Sequence, residues 1–291
     1  MSSLKKTTSK NKENIALFKN QLYAYKDRIT DLLNSNHNIN VERFLAMAYN
    51  AVKRDRKLLA VVEKNPASLF ASLLLCAEYG LSPSPEVGEC WLIPYGDACQ
   101  FQLGYQGLVK IAYRNPAIKA ISAELVYDND EFEYGLGLDP FLNHKPSSGK
   151  KGQITHVYAV VKFREGEPMF KVMSRSELQD IQSISKAGNK GIWFNREKDP
   201  QGWMLKKTCL KQLLKLVPKE FQLGSSLHYD NVVEGGSILS MDGDEIVEIK
   251  RSARSFAKGN VFARALEERT DTEEVVEEAQ EVADSPKDLF D

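Results

Sequence analysis

The chain of 291 residues is poor in the side chains that build metal and redox sites: it has four cysteines and four histidines. Cys76, Cys90, Cys99 and Cys209 form no Cys-x-x-Cys pair and all sit in apolar surroundings. They read as buried free thiols, which excludes a zinc site or a disulfide framework. Cys90 and Cys99 fall on opposite arms of an expected hairpin, where they would face each other, and a reducing compartment would keep them as thiols. Long apolar runs are also missing. None approaches the ~18 residues that suggest a membrane span, and Met1 to Lys12 is polar and lysine-rich without the apolar centre of a signal peptide. The expectation is a cytoplasmic protein with no membrane partner.

Signatures of catalysis are equally scarce. The stretch Lys186-Ala187-Gly188-Asn189-Lys190-Gly191-Ile192-Trp193 is glycine-rich and basic, but it lacks the Gly-Lys-Ser/Thr ending of a nucleotide-binding loop and follows no strand. ATP binding is excluded on that ground. Asp128, Asp130, Glu131 and Glu133 lie close enough to suggest the carboxylates of a metal-dependent nuclease. Asp128-Asn129-Asp130 reads better as a turn between strands, where Asp and Asn bond the local backbone. His144 and His156 have no metal-ligand spacing, and no Ser, His and Asp set can be assembled. No catalytic residue, metal or cofactor is expected, and so no enzyme.

A balanced charge is what remains, and it is unevenly distributed. The totals of 39 basic and 40 acidic residues leave a formal charge of −1, yet from Ser240 to Asp291 there are 7 basic against 15 acidic residues, and before it 32 against 25. A basic body with an acidic end suits a protein that holds phosphates without reading sequence. With 42% apolar and 27% charged residues, the body is one or two globular domains.

Helical spacing runs from Glu13 to Asn34 and again from Val41 to Glu63, the second crowded at its middle by Lys53, Arg54, Arg56 and Lys57. That cluster is either a solvated or subunit-facing surface, or a DNA contact. Pro66 fits the first turn of a third, apolar helix that Gly80 stops. The period then changes. Trp91 to Ile93, Cys99 to Leu103, Ile118 to Tyr127, Glu131 to Tyr134, Ile154 to Phe163 and Met169 to Met173 read as strands, with Gly96-Asp97 turning the first hairpin. In Ile154 to Phe163 the core face carries Val157, Ala159 and Val161. Asn143 to Gln153, with Lys145, Lys150 and Lys151, reads as a mobile basic loop that either clamps DNA or is solvated. Ser174 and Glu177 form a capping box for a helix ending before Gly188. The fold class is α+β: a curved antiparallel sheet with hairpins packed against several helices, an N-terminal helical region and a flexible acidic tail.

Candidate strand contacts follow from this layout. Lys110 and Arg114 fall four apart and would share one helix face beside aromatic strands. The helix from Gln201 to Val217 carries an apolar seam of Leu210, Leu213, Leu214 and Val217, and beside it Lys207, Lys211 and Lys215. These lysines repeat about every 6 Å along the axis and are expected to stay exposed. Phosphate contacts are therefore placed at Lys110, Arg114, Lys119, Lys162, Lys186, Lys190, Arg196, Lys206, Lys207 and Lys211. Phe101 and Tyr105 are candidates for base stacking, with Gln106 beside them, though Phe101 suits a core position equally well. Trp193 either stacks on bases or anchors its loop, and Trp203 is expected to pack. Residues 1–12 read as a flexible basic start, 13–236 as the body, and 237–291 as a flexible acidic tail. In that tail Leu289 and Phe290 are either a partner-binding element or unselected.

The ordered series AEYGLSP, WLIPYG, FQLGYQGLVKIAYRN, LVYDNDEFEYGLG, LNHKP and WMLKKTCLKQLLKLVPK, spanning roughly Leu58 to Val217, resembles the RecT family of phage recombinases. The resemblance implies annealing of complementary single strands without nucleotide hydrolysis, in a bacterial host cell. It implies single-stranded DNA and the annealed duplex as partners, and a homo-oligomer in the form of a ring or helical filament. It also implies company with a RecE-like 5′-to-3′ exonuclease and the host single-strand-binding protein.

Overall fold

The N-terminal region folds into five helices, the last three opened by a polar side chain: α1 (Ser2–Ala24), α2 (Lys26–Asn36), α3 (Val41–Arg54), α4 (Arg56–Lys64) and α5 (Pro66–Glu78). The computed structural model describes residues 2–36, 39–185, 192–217, 221–234, 237–242 and 245–249. Asn40 accepts from the Arg43 amide at 2.9 Å, Asp55 from the Lys57 amide at 2.7 Å, and Asn65 from the Ser68 amide at 3.2 Å. Each such cap is worth about 1 kcal/mol. Two helices were expected where four stand. Asp55 ends α3 in an extended conformation and caps α4, which splits the second expected helix among its basic residues. The first breaks at Tyr25, whose ring stacks on Phe70 at 4.3 Å. Residues Ser68 to Ala77 of α5 are buried on every side, as a core helix requires.

The chain continues through β1 (Cys90–Tyr95) and β2 (Ala98–Leu103), turned at Gly96 with φ +61°, into α6 (Tyr105–Ala112). A β-carbon on Gly107 would run into the backbone of Glu89, so the tight seat of α6 against β1 requires glycine there. Next come β3 (Ile118–Tyr127), β4 (Glu131–Gly135), β5 (Phe141–Lys145), β6 (Ile154–Phe163), β7 (Met169–Ser174), α7 (Arg175–Ile184), α8 (Trp203–Leu214), α9 (Phe221–Glu234), β8 (Ile238–Asp242) and β9 (Glu245–Ile249). All pairings are antiparallel. β3, β6 and β7 form a sheet in the order β3-β6-β7, while β1-β2, β4-β5 and β8-β9 are separate hairpins. The α+β class with its N-terminal helices is as expected. The capping box is present too: Ser174 and Glu177 bond each other's amides at 3.3 and 2.7 Å.

Three segments depart from the sequence reading. The expected basic loop begins later, because Asn143, His144 and Lys145 pair with β4 as β5. The expected tail begins later as well, because β8 and β9 occupy its first residues and Leu239 is fully buried. At the other end, α1 reaches back to Ser2 through residues taken as a flexible start. Residues 250–291, with the acidic run and Leu289 and Phe290, lie outside the described residues, as do 186–191.

All four cysteines are free and buried. Cys90 does not face Cys99: its register partner is Leu103, and its sulfur lies 3.4 Å from that of Cys76. Burial pushes the Cys99 and Cys209 thiols up to about 12 and raises Cys76 well above its ordinary value.

The row of lysines on α8 is where charge meets the core. Lys207 and Lys211 are buried, not exposed, and both ammoniums reach the Asp230 carboxylate of α9, at 3.1 and 2.7 Å. The same carboxylate accepts from the Leu103 amide at the end of β2, at 3.1 Å. Burial alone would raise Asp230, but the two ammoniums outweigh it and hold the carboxyl below its ordinary value. Asp230→Asn removes the carboxylate that both buried ammoniums reach, and we expect a loss of about 3–5 kcal/mol in urea unfolding. A folded-state value below the unfolded ~3.9 makes this contribution complete above that pH and lost as pH falls through the lower value. Wild type should therefore weaken below about pH 4, and the variant should lack that component of its pH profile.

Candidate nucleic-acid interface

Two aromatic residues that open helices stand together at the surface. Tyr105 begins α6 and Trp203 begins α8. The start of α8 is fixed by Asp199, whose carboxylate accepts from the Trp203 and Met204 amides at 2.9 Å each. Gly202, at φ +64°, lets the chain turn close against the Leu125 side chain of β3, where a β-carbon would collide. The Tyr105 and Trp203 rings meet at 5.0 Å, and Trp203 keeps 40% of its surface exposed. Trp203 was expected to pack; it does so on one side only. Lys206, one turn further along α8, lies 5.3 Å over the Trp203 ring and 3.0 Å from the Glu124 carboxylate of β3. A half-exposed aromatic pair with an ammonium held above one ring offers a face on which a base can stack.

On the outward face of the three-stranded sheet, His156 and Tyr158 of β6 lie opposite Val126 and Glu124 of β3. Phe132 of β4 stacks on Tyr158 at 5.9 Å and meets His156 at 5.5 Å, which fastens the β4-β5 hairpin. His144 bridges the Tyr158 hydroxyl at 3.2 Å and the Asp130 carboxylate at 3.1 Å. Asp130 also accepts from the Tyr127 and Ser147 amides, at 2.9 and 2.8 Å. Burial would raise its carboxyl, but these amides and His144 hold it below its ordinary value. The acidic stretch is thus a turn staple. Among the described residues, no group of three or more His, Cys, Asp or Glu side chains is placed to hold a metal ion.

The remaining candidates divide by their partners. Lys119 and Lys162 are exposed at one end of the β3-β6 pair, where Ala120 lies opposite Lys162. Arg196 is exposed, with its guanidinium 5.2 Å over the Tyr127 ring, and Gln106 is exposed beside Tyr105. Lys110 and Arg114 do not share a helix face, because α6 ends at Ala112. Lys110 binds both Glu89 oxygens at 2.9 Å, and Arg114 donates to the Tyr79 carbonyl at 2.5 Å, closing the end of α5. Phe101 is wholly buried against Tyr79, which places it in the core and away from any base. Trp193 is buried as an anchor of its loop. Lys186 and Lys190 lie outside the described residues. Sequence reading missed the counter-charges Glu89, Glu124 and Asp230. They stand 21, 82 and 19 residues from the lysines they bind, so no local spacing marks them. Glu124 alone had a signal, as an acid on the outward phase of an alternating strand.

An α+β body of antiparallel hairpins, bearing this aromatic and cationic surface on the ordered motifs quoted above, is matched by the family model described as "RecT family" over residues 42–247. The match takes in more than half of the chain, which therefore belongs to the RecT family of recombinases. Among curated proteins it is similar to "Protein RecT" of Escherichia coli (strain K12), 31% identical over 197 residues, covering 65% of this chain and 71% of that protein. A shorter similarity, 32% over 66 residues and 23% of each chain, links it to "Uncharacterized protein YqaK" of Bacillus subtilis (strain 168).

Stacking of bases on the Tyr105-Trp203 pair predicts that Trp203→Ala and Tyr105→Ala each weaken single-strand binding by about 1–3 kcal/mol. Anisotropy titration of a labelled oligonucleotide, with melting temperatures taken in parallel, checks this. Unchanged affinity in folded variants would remove the pair from the interface.

Proposed function

We propose that the chain binds single-stranded DNA without sequence preference and anneals complementary strands without ATP, acting as a homo-oligomer on the DNA. The observation that carries this reading is the half-exposed Tyr105-Trp203 pair with Lys206 above it, on a chain of the RecT family. Exposed cations at Lys119, Lys162 and Arg196, with Gln106, extend the contact. Lys110 and Arg114 flank the surface with part of their charge already engaged, while Lys207 and Lys211 serve as its framework.

The mechanism is physical. Cations hold the backbone extended, aromatic faces hold bases apart, and Watson–Crick edges stay open to test a second strand. Each correct pair adds stacking and hydrogen bonds, so complementarity drives the reaction and no covalent step is needed. The protein works in the cytoplasm of a bacterial host, beside a RecE-like exonuclease and the host single-strand-binding protein, with the acidic segment after residue 250 as the partner-binding end. The annealing body runs to the close of β9.

The test is the pairing rate of two complementary oligonucleotides with and without protein, in the absence of ATP, with strand lengths measured afterwards. Faster pairing of intact strands is the expected result. Binding without acceleration would make the protein a passive coat, and Mg²⁺-dependent shortening would make it a nuclease.

A further inference from the structure

Beside Tyr127, two arginines line a cavity of about 240 Å³ together with Gln153, Ile154 and Phe194. Arg175, the first residue of α7, donates to the Ile154 carbonyl at 3.1 Å and lies 4.7 Å over the Phe194 ring. Arg196 donates to the Lys151 carbonyl at 3.4 Å and to the Gly152 carbonyl, and lies over the Tyr127 ring together with Lys151, whose ammonium is 4.6 Å from the same centroid. Among the described residues neither guanidinium is in an ion pair, and the nearby Asp128 carboxylate is turned against the Gly152 backbone. Each guanidinium is therefore fixed by a carbonyl on one edge and a ring on one face, with N–H groups of its planar fork left over. Phe194 is the one non-glycine residue with positive φ among those described, at +52°. A bulky side chain rarely adopts that conformation, and such strain gathers where a ligand is clamped. Here it brings the Phe194 ring beneath Arg175.

Two positioned forks without a counter-anion match the oxygens of a phosphate group better than any neutral ligand. We propose that Arg175 and Arg196 together form a phosphate-holding pocket, and that the phosphate it takes is one of the DNA backbone. The pocket is a fixed point along the strand, separate from the stacking surface at Tyr105 and Trp203. The choice of DNA as the phosphate's source rests on the function proposed above; the pocket's preference for phosphate does not.

The experiment has two arms. In the first, phenylglyoxal modification of arginines is mapped by peptide mass spectrometry with no addition, with inorganic pyrophosphate, and with a mixed-sequence single-stranded oligonucleotide. In the second, the salt dependence of oligonucleotide affinity is measured for wild type, Arg175→Gln, Arg196→Gln and the double variant. We expect both additions to protect both arginines. We also expect each single variant to lower the slope of log affinity against log salt by about 0.7, the loss of one single-strand phosphate. The double variant should lose no more than either single one, since both forks hold one group. Protection by pyrophosphate alone, with unchanged slopes, would keep the pocket and assign it to free phosphate. Absence of protection by either addition, with unchanged slopes, would overturn it. Should wild type fail to bind DNA, the function proposed above falls, and the pyrophosphate arm still decides the pocket. Arg175 also braces Ile154, so if its variant does not fold, the exposed Arg196→Gln carries the second arm.

Discussion

The Asp230 carboxylate, buried between two ammoniums and a strand-end amide, is the interaction on which the positions of the other elements depend. It joins α8, α9 and the end of β2 through one carboxylate. Charges taken so far from water are tolerated only when their partners are held at hydrogen-bond distance, so the three elements have little freedom to slide past one another. Rotation of α8 about its axis is set as a result. With Lys207 and Lys211 committed inward, Lys206 must emerge at the β3 edge, and Trp203, one turn earlier, must emerge beside Tyr105. The surface that meets DNA under the proposed function is thus a consequence of an ion triad in the core.

Several of the body's cations are paired within it. Lys110 answers Glu89, Lys206 answers Glu124, and Arg54 answers Glu86. A raw count of basic residues therefore overstates what a phosphate would meet. Three other cations stand on aromatic rings with no carboxylate partner among the described residues: Lys151 and Arg196 over Tyr127, and Arg175 over Phe194. A ring holds a guanidinium or ammonium in place without cancelling its charge, unlike a carboxylate. Placement without neutralisation is what a sequence-blind strand contact needs.

The sequence made local order legible and long-range pairing illegible. Pro66, the Ser174 and Glu177 box, the Gly96 turn and the alternation of Val157, Ala159 and Val161 each announce their structure within a few residues, and each stands where it was expected. The errors have one physical origin. Lys207, Lys211 and Lys215 share a helical phase, and spacing alone cannot tell an exposed row from one facing a carboxylate on another helix; only Lys215 is exposed. Asp55 split a helix because its side chain competes for amides that the periodic pattern assigned to the helix interior. The strands β8 and β9 escaped notice because acidic residues on their open face resembled the composition of a tail, while Leu239 turned inward.

The four thiols described above have a practical meaning. Reagents that label cysteine attack the thiolate, and these sulfurs are both out of contact with solvent and, for Cys76, Cys99 and Cys209, held protonated far above neutral pH. A cysteine introduced at an exposed position would be the group that such reagents find first. The chain can therefore carry a fluorophore or a spin label at a chosen site with every natural sulfur left in place, and its motions on a strand can be followed in an otherwise unaltered protein.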